Sequence, residues 1–187
     1  KDINKTIDRL KKVCEYISAE LVFSGKVSEA VNNYALEEEK FHIFSEKARL
    51  IRDNCCDKED FQKFVDSLSI NLKNRSLYEL QLLSAYHLAF SQNACNFSVP
   101  GAGKTSVVYG AFAYLSNLPA DDSKYVDKLL IISPLSAFGP WELEYEECFG
   151  EKPSTKRLNG KVSVDEKKQY LYSRTPAKIT LLSYNSV

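Results

Sequence analysis

The chain has 187 residues, of which 44% are hydrophobic and 27% are charged, a balance typical of a globular domain with a buried core. This composition excludes an intrinsically disordered chain and a mini-protein held together by disulfide bonds. Lysine plus arginine and aspartate plus glutamate both total 25, so a uniformly basic surface is excluded while a local basic patch is not. No apolar run approaches the ~18 residues of a membrane span, so no membrane partner is expected.

Cysteine usage indicates the redox compartment. The five cysteines are Cys14, Cys55, Cys56, Cys95 and Cys148. They form no C-x-x-C pair, and the two histidines lie outside any ligand-like cluster, so no stable zinc site is expected. An odd number of scattered thiols is typical of a reducing compartment. This compartment would be the cytoplasm in a bacterium or the nucleus in a eukaryote.

Residues 1–73 are predicted to form a helical extension. Apolar residues recur at alternating steps of four and three along one helical stripe, at Ile3, Ile7, Leu10, Cys14, Ile17 and Leu21. Gly25 interrupts this pattern, a second and longer stripe follows it, and Asp57 is a candidate N-cap for a third helix. The nearly heptad spacing leaves a coiled-coil contact open, but an antiparallel helical bundle is the favoured interpretation.

From residue 74 onward, short apolar runs alternate with helical stretches. The segment Ser76-Leu77-Tyr78-Glu79 fits a capping box that opens a helix. The apolar runs are 94–99, 128–133 and 178–184, and the helical stretches are 103–117, 137–149 and 165–173. Such alternation predicts an α/β fold in which a parallel sheet carries helices on its faces. We therefore divide the chain into residues 1–73 and 74–187.

The most specific motif is a predicted phosphate loop between the first apolar run and the next helix, Ser98-Val99-Pro100-Gly101-Ala102-Gly103-Lys104-Thr105. Its glycines allow the backbone to curl so that N–H groups face phosphate oxygens, and the helix adds its positive end. Lys104 can reach the β- and γ-phosphates, and Thr105 can ligate Mg²⁺, so we predict these two residues as the catalytic pair. The predicted residues for binding ATP and Mg²⁺ in this loop are Pro100, Gly101, Ala102, Gly103, Lys104, Thr105 and Ser106.

These motifs resemble a known family. The loop has nearly the form A-x-x-G-x-G-K-T of superfamily-two helicases and translocases, with Ser98 in place of the alanine. Residues 129–136, followed by Trp141-Glu142-Leu143-Glu144, resemble motif Ia of Swi/Snf-type ATPases, and residues 179–184 resemble motif Ib. Gln81 is placed like the upstream glutamine that reads adenine in this family, although Leu80 stands where an aromatic residue usually precedes it.

The resemblance implies that residues 74–187 are a partial RecA-like P-loop lobe that ends before the acidic Walker B box. It implies a parent enzyme that hydrolyses ATP as a DNA translocase or helicase, with duplex DNA and a second RecA-like lobe as partners. Ser133 and Ser136 lie where a strand ends and a helix begins, which is the sheet edge where α/β proteins bind ligands. With Ser183 of motif Ib, they are the predicted contacts to nucleic-acid phosphates.

Three alternatives stay open. The motor could belong to a bacterial restriction or phage-defence enzyme, the chain could be an assembly ATPase that binds no nucleic acid, or the helical extension could act as an interaction module. The basic stretch 152–178 is a candidate DNA-facing flank, although such a run is more commonly a solvated face. Asp165-Glu166 superficially resembles an acidic box but precedes the motif Ib strand, so we interpret it as a helix start.

The resemblance predicts that this chain by itself hydrolyses ATP poorly, because the acidic box and the arginine finger would belong to other parts of the parent protein. The measurement is steady-state ATP turnover by this chain and by its full-length parent under identical conditions. Robust turnover by the chain alone would contradict the prediction.

Overall fold

The computed structural model describes residues 3–53, 55–91 and 93–186, which fall into two compact units divided between Glu46 and Lys47. The first unit is entirely helical between its loops, and the second contains a parallel sheet with helices. This arrangement confirms the predicted α/β fold with an N-terminal helical region and fits a partial RecA-like lobe. Within the described ranges, none of the helices combines the length and the apolar character needed to cross a membrane.

The first unit consists of helix α1, Ile3–Tyr16, and most of helix α2, Gly25–Arg52. Helix α1 ends before the predicted stripe does, because Ser18 adopts a left-handed φ of 52°. Leu21 therefore lies outside the helix although the apolar spacing included it. Gly25, which was expected only to interrupt the pattern, is the first residue of α2.

The second unit begins with the last turns of α2 and continues with helix α3, Lys58–Asn71. The predicted N-cap is confirmed, since the Asp57 carboxylate accepts the N–H groups of Glu59 and Asp60 at 2.8 and 3.0 Å. Phe64 is fully buried in the same core as the helices that follow. The second compact unit includes α3, because the apolar face of this helix packs in the same core as the sheet-bearing part of the chain.

Helices α4, Glu79–Phe90, and α5, Lys104–Leu115, form the helical centre of the second unit. The predicted capping box at Ser76 is wrong in its residues, since Tyr78 is the N-cap of α4. The Tyr78 N–H donates to the Gln81 side-chain carbonyl at 3.0 Å. The capping contact is therefore made at Tyr78 and not at the Ser76 hydroxyl that the pattern suggested.

The sheet contains three parallel strands in the order β1-β3-β2 among the described residues. The strands are β1 at Leu129–Ser133, β2 at Thr155–Leu158 and β3 at Ile179–Ser183, and helices α6 at Phe138–Phe149 and α7 at Val164–Leu171 connect them. The register pairs Leu129 with Ile179 and Ser133 with Ser183. Every residue of β3 is buried, as expected of a central parallel strand covered on both faces.

The strand expected at residues 94–99 is not formed. A strand needs a hydrogen-bonded neighbour, and here the Asn96 side chain instead accepts the N–H of Ser98 at 3.0 Å. Phe97, an apolar residue of that predicted run, is 93% exposed. The phosphate loop is therefore preceded by an irregular segment.

Strand β2 was not predicted, because its sequence Thr155-Lys156-Arg157-Leu158 is mostly polar. It pairs on one side only, with β3, and just one of its residues, Leu158, is buried. An edge strand can keep charged side chains in solvent while its backbone completes the ladder, so the apolar signal is weak.

Aromatic side chains fill the core on both sides of α5. One cluster joins α3, α4 and α5 through edge-on or tilted contacts among Phe64, Tyr86, Phe90 and Tyr114, with ring centroids 4.4 to 6.5 Å apart. A second cluster places Tyr109 edge-on to Trp141 and Tyr145 of α6, at 5.6 and 5.5 Å. The Tyr109 hydroxyl also donates to the Trp141 carbonyl at 2.7 Å. Trp141 is thus a packing anchor of this second cluster.

We predict that Gly110→Ala destabilises the protein, because a Cβ on this α5 residue would lie 2.6 Å from Leu77 and 3.2 Å from the Ala85 Cβ. Overpacking between two helices should outweigh the gain in helix propensity and lower the free energy of unfolding by about 1–2 kcal/mol. The matched control is Gly139→Ala in α6, where an added Cβ meets no atom within 4 Å, so stability should be unchanged or slightly higher. Urea unfolding of both variants checks this prediction, and equal effects would contradict it.

Candidate functional site

The phosphate loop is a turn that leads directly into α5. The N–H of Ala102 donates to the Val99 carbonyl at 3.2 Å, and Gly101 follows Pro100 with φ of 85°. Proline followed by a glycine at positive φ is the signature of a type II turn, so the Pro-Gly pair explains the curl locally. Gly103 then caps α5, also in the left-handed region, with φ of 76°.

The loop leaves donors at the N-terminus of α5. The first N–H groups of a helix have no carbonyl partner within it, and they lie at the positive end of the helix dipole. Lys104 is the first residue of α5, and its ammonium donates to the carbonyls of Ser98 and Val99, the latter at 3.1 Å. Thr105 follows, half-buried. These residues fit a phosphate group, because they gather N–H donors, an ammonium and a hydroxyl at one helix end.

Gln81 contacts the loop from α4. Its side-chain NH₂ donates to the Ala102 carbonyl at 3.0 Å, while its carbonyl oxygen accepts the Tyr78 N–H. A Cβ on Gly103 would lie 2.4 Å from that NH₂ nitrogen and would displace it, and the φ of 76° at this position also favours glycine. The structure therefore brings the upstream glutamine to the phosphate loop, and its predicted role in reading adenine stays a prediction.

Ser106 is buried in the first turn of α5, and its hydroxyl donates to a Glu144 carboxylate oxygen at 2.5 Å. Sequence reasoning placed Ser106 among the nucleotide-binding residues. In the structure its side chain is bonded to α6, so only its backbone N–H belongs to the donors at the helix end.

The Glu144 carboxylate is held by a charged partner as well. Arg75 donates to both of its oxygens, with Nη2 at 2.7 Å from one and 2.6 Å from the other. Burial alone would raise the pKa of Glu144, but the hydrogen bonds from Arg75 and Ser106 and the charge of Arg75 outweigh it and lower that pKa below 4.5. Cys148 lies one turn away, and burial raises the pKa of its thiol to about 12, so it remains protonated.

Sequence reasoning missed the functional interest of Arg75 and Glu144. Glu144 was quoted only as part of the Trp-Glu-Leu-Glu segment, and Arg75 lies far from it in sequence. No local spacing relates the two residues, so only the tertiary structure could reveal their contact.

The predicted nucleic-acid contacts are gathered at the carboxyl edge of the sheet. Ser133 and Ser183 are paired in register at the ends of β1 and β3, and both are buried. Ser136 lies in the exposed 3₁₀ turn Leu135–Ala137, and Ala137 rather than Ser136 is the N-cap of α6. Ser136 is therefore the member of this group that is directly accessible.

Much of the basic stretch is engaged within the protein. Arg157 pairs with Glu142, while Lys156 lies over the Tyr170 ring and Lys178 over the Tyr145 ring. Lys167 is buried. These contacts reduce the number of cations available to a nucleic-acid phosphate.

Asp165 and Glu166 lie in the first turn of α7, as expected. The Ser163 hydroxyl accepts the N–H of Glu166 at 3.2 Å, and the Glu166 carboxylate accepts the N–H of Ser163 at 3.0 Å. This reciprocal capping box explains the acidic pair as a helix start.

Metal ligands are sparse in the part of the chain that the structure describes. It contains no group of three or more histidine, cysteine, aspartate or glutamate residues that could hold a metal ion. All five cysteines are free thiols. A Mg²⁺ ion at the phosphate loop would take the Thr105 hydroxyl and phosphate oxygens as ligands.

No protein-family model and no curated protein matches this chain. Among solved structures, the chain is similar to the Sulfolobus solfataricus SWI2/SNF2 ATPase core in complex with dsDNA, with 20% sequence identity and a TM-score of 0.46. The match covers 62% of this chain and 22% of that one.

The lowered pKa of Glu144 predicts an acid-sensitive contribution to stability. Because its folded pKa lies below the ordinary 4.5, the stabilisation is present above about pH 4.5 and is lost as the pH falls through the folded pKa. Glu144→Gln should lower the free energy of unfolding by about 1–2 kcal/mol near pH 7.

The measurement is urea unfolding of wild type and Glu144→Gln between pH 7 and pH 3, where the difference between them should shrink with acidification. Glu147→Gln, an exposed substitution on the same helix, serves as the control. A difference that stays constant with pH would contradict the prediction.

Proposed function

We propose that this chain is the nucleotide-binding N-terminal part of an ATP-dependent DNA translocase or helicase of the Swi/Snf-like type. The observation that carries the proposal is the loop ahead of α5, where the type II turn, the left-handed glycines and Lys104 occur together. A lysine and a threonine at the first positions of a helix that follows a glycine-rich turn are the residues that a nucleotide-phosphate loop uses.

ATP fits this loop through its phosphates, and Mg²⁺ would neutralise phosphate charge during hydrolysis. The chain itself supplies N–H donors from the first turn of α5, the Lys104 ammonium and the Thr105 hydroxyl. To bind phosphate, Lys104 must exchange its contacts with the Ser98 and Val99 carbonyls for phosphate oxygens. An ammonium can make this exchange readily, because its side chain is long, exposed and flexible.

DNA binding is supported by the position of the serines. The carboxyl edge of a parallel sheet is where α/β proteins bind ligands, and Ser136 is exposed there in the turn before α6. Contacts of this kind hold a phosphate backbone without reading the base sequence. With a second RecA-like lobe, a protein in the cytoplasm or nucleus would convert ATP hydrolysis into movement along duplex DNA.

A second candidate is an assembly ATPase that binds no nucleic acid. It is favoured by the burial of Ser133 and Ser183 and by the internal contacts of Arg157 and Lys178. Duplex DNA added to the full-length protein distinguishes the two functions, since a translocase increases its ATP turnover with DNA and an assembly ATPase does not.

We predict that Lys104→Ala weakens ATP binding by at least about tenfold, because charge-assisted bonds to phosphate are lost at a helix N-terminus. The measurement is the fluorescence of a labelled ATP analogue titrated with this chain in the presence of Mg²⁺. Lys128→Ala is the matched control, since Lys128 is exposed and pairs only with neighbouring Asp127 among its described contacts. Equal affinity of Lys104→Ala and wild type would refute the nucleotide site.

A further inference from the structure

The Glu144 carboxylate joins three segments of the second unit. Arg75 lies between α3 and α4, Ser106 in the first turn of α5, and Glu144 in the middle of α6. The side chain of Glu144 is 18% exposed, and it accepts bonds from both of the others. The surrounding structure thus restricts this carboxylate to one arrangement.

Ser106 is the residue through which this network reaches the phosphate loop. It directly follows Thr105 and supplies one of the backbone N–H groups at the positive end of α5. It is only 5% exposed, so solvent offers its hydroxyl little alternative to the carboxylate. The hydrogen bond to Glu144 therefore restrains the helix end that presents donors to a phosphate.

Arg75 connects the same carboxylate to the Gln81 side of the loop. The neighbouring Lys73 N–H donates to the Cys148 carbonyl at 2.9 Å, which docks this segment on the end of α6. A few residues further along, Gln81 bonds the Ala102 carbonyl of the phosphate loop. The segment between α3 and α4 is thus tied to α6, and the helix it leads into, α4, is tied to the loop through Gln81.

We propose that Glu144 is a positioning residue for nucleotide binding, which holds the first turn of α5 through Ser106 and the segment leading to Gln81 through Arg75. This role rests on the proposed nucleotide-binding function. Glu144 acts without touching the nucleotide, since its carboxylate is occupied by three protein donors, Arg75, Ser106 and the thiol of Cys148. Loss of the carboxylate charge would let the first turn of α5 shift, and small displacements of phosphate donors weaken binding strongly.

The test measures the affinity of a fluorescent ATP analogue with Mg²⁺ for the full chain and its variants. Glu144→Gln and Ser106→Ala should each weaken binding by about 5- to 20-fold. The double variant should bind no more weakly than Glu144→Gln alone, because the two residues act through one hydrogen bond. Ser106→Ala is a small change that keeps the Arg75–Glu144 ion pair. It tests the proposal by itself if Glu144→Gln folds poorly.

Glu142→Gln is the matched control, because it makes the same chemical change on the same helix where Glu142 pairs with Arg157 instead. Its affinity should stay within about twofold of wild type. Urea unfolding of every variant gives its stability, and ATP-analogue binding is then measured under conditions in which that variant is fully folded. Weaker binding by a folded variant indicates a loss of positioning and not a loss of stability.

Two results would overturn the proposal. Folded Glu144→Gln or Ser106→Ala with wild-type affinity would show that the network serves stability alone, and multiplicative losses in the double variant would show that the residues act independently. If Lys104→Ala loses binding while Glu144→Gln does not, only the role of Glu144 fails. If wild type and Lys104→Ala bind equally weakly, the nucleotide function itself fails and the role of Glu144 fails with it.

Discussion

The close approach of α4 to α5 is the constraint on which the rest of the second unit depends. Two glycines of this region, Gly103 and Gly110, lie so close to their neighbours that an added Cβ would displace the Gln81 side chain at the first and crowd Leu77 and the Ala85 Cβ at the second. The aromatic cluster around Phe64 packs beside the same pair of helices and fixes their separation. Because the helices are this close, Gln81 can bond the backbone of the phosphate loop directly.

Charged and polar contacts connect α5 and the segment before α4 to α6, the helix that follows strand β1. Helix α6 follows β1 through a short turn and carries Glu144, whose carboxylate receives Arg75 and Ser106. A partly buried carboxylate is costly unless it is fully paired, and here the guanidinium and the hydroxyl together offset the loss of hydration. The turn that bears Ser136 leads into α6, and α6 contacts the first turn of α5 through Glu144 and Ser106.

The sequence predicted the regular elements well where the signal is local. The start of α3 follows from Asp57, and the strands at Leu129–Ser133 and Ile179–Ser183 follow from their short apolar runs. The sequence predicted strands less well where a neighbouring strand decides whether the segment pairs. Residues 94–99 are apolar enough for a strand but form none, while the polar β2 becomes one because β3 offers it a free edge.

The amino-acid sequence by itself determined the conformation of the loop before α5, because a turn, two positive-φ glycines and a helix start are encoded within eight consecutive residues. Only the tertiary structure decided what surrounds that loop. It brought Gln81 onto the Ala102 carbonyl, turned the Ser106 hydroxyl to α6 and paired Arg75 with Glu144. These contacts join residues far apart in the chain, and their geometry arises from helix packing and charge pairing that no local spacing encodes.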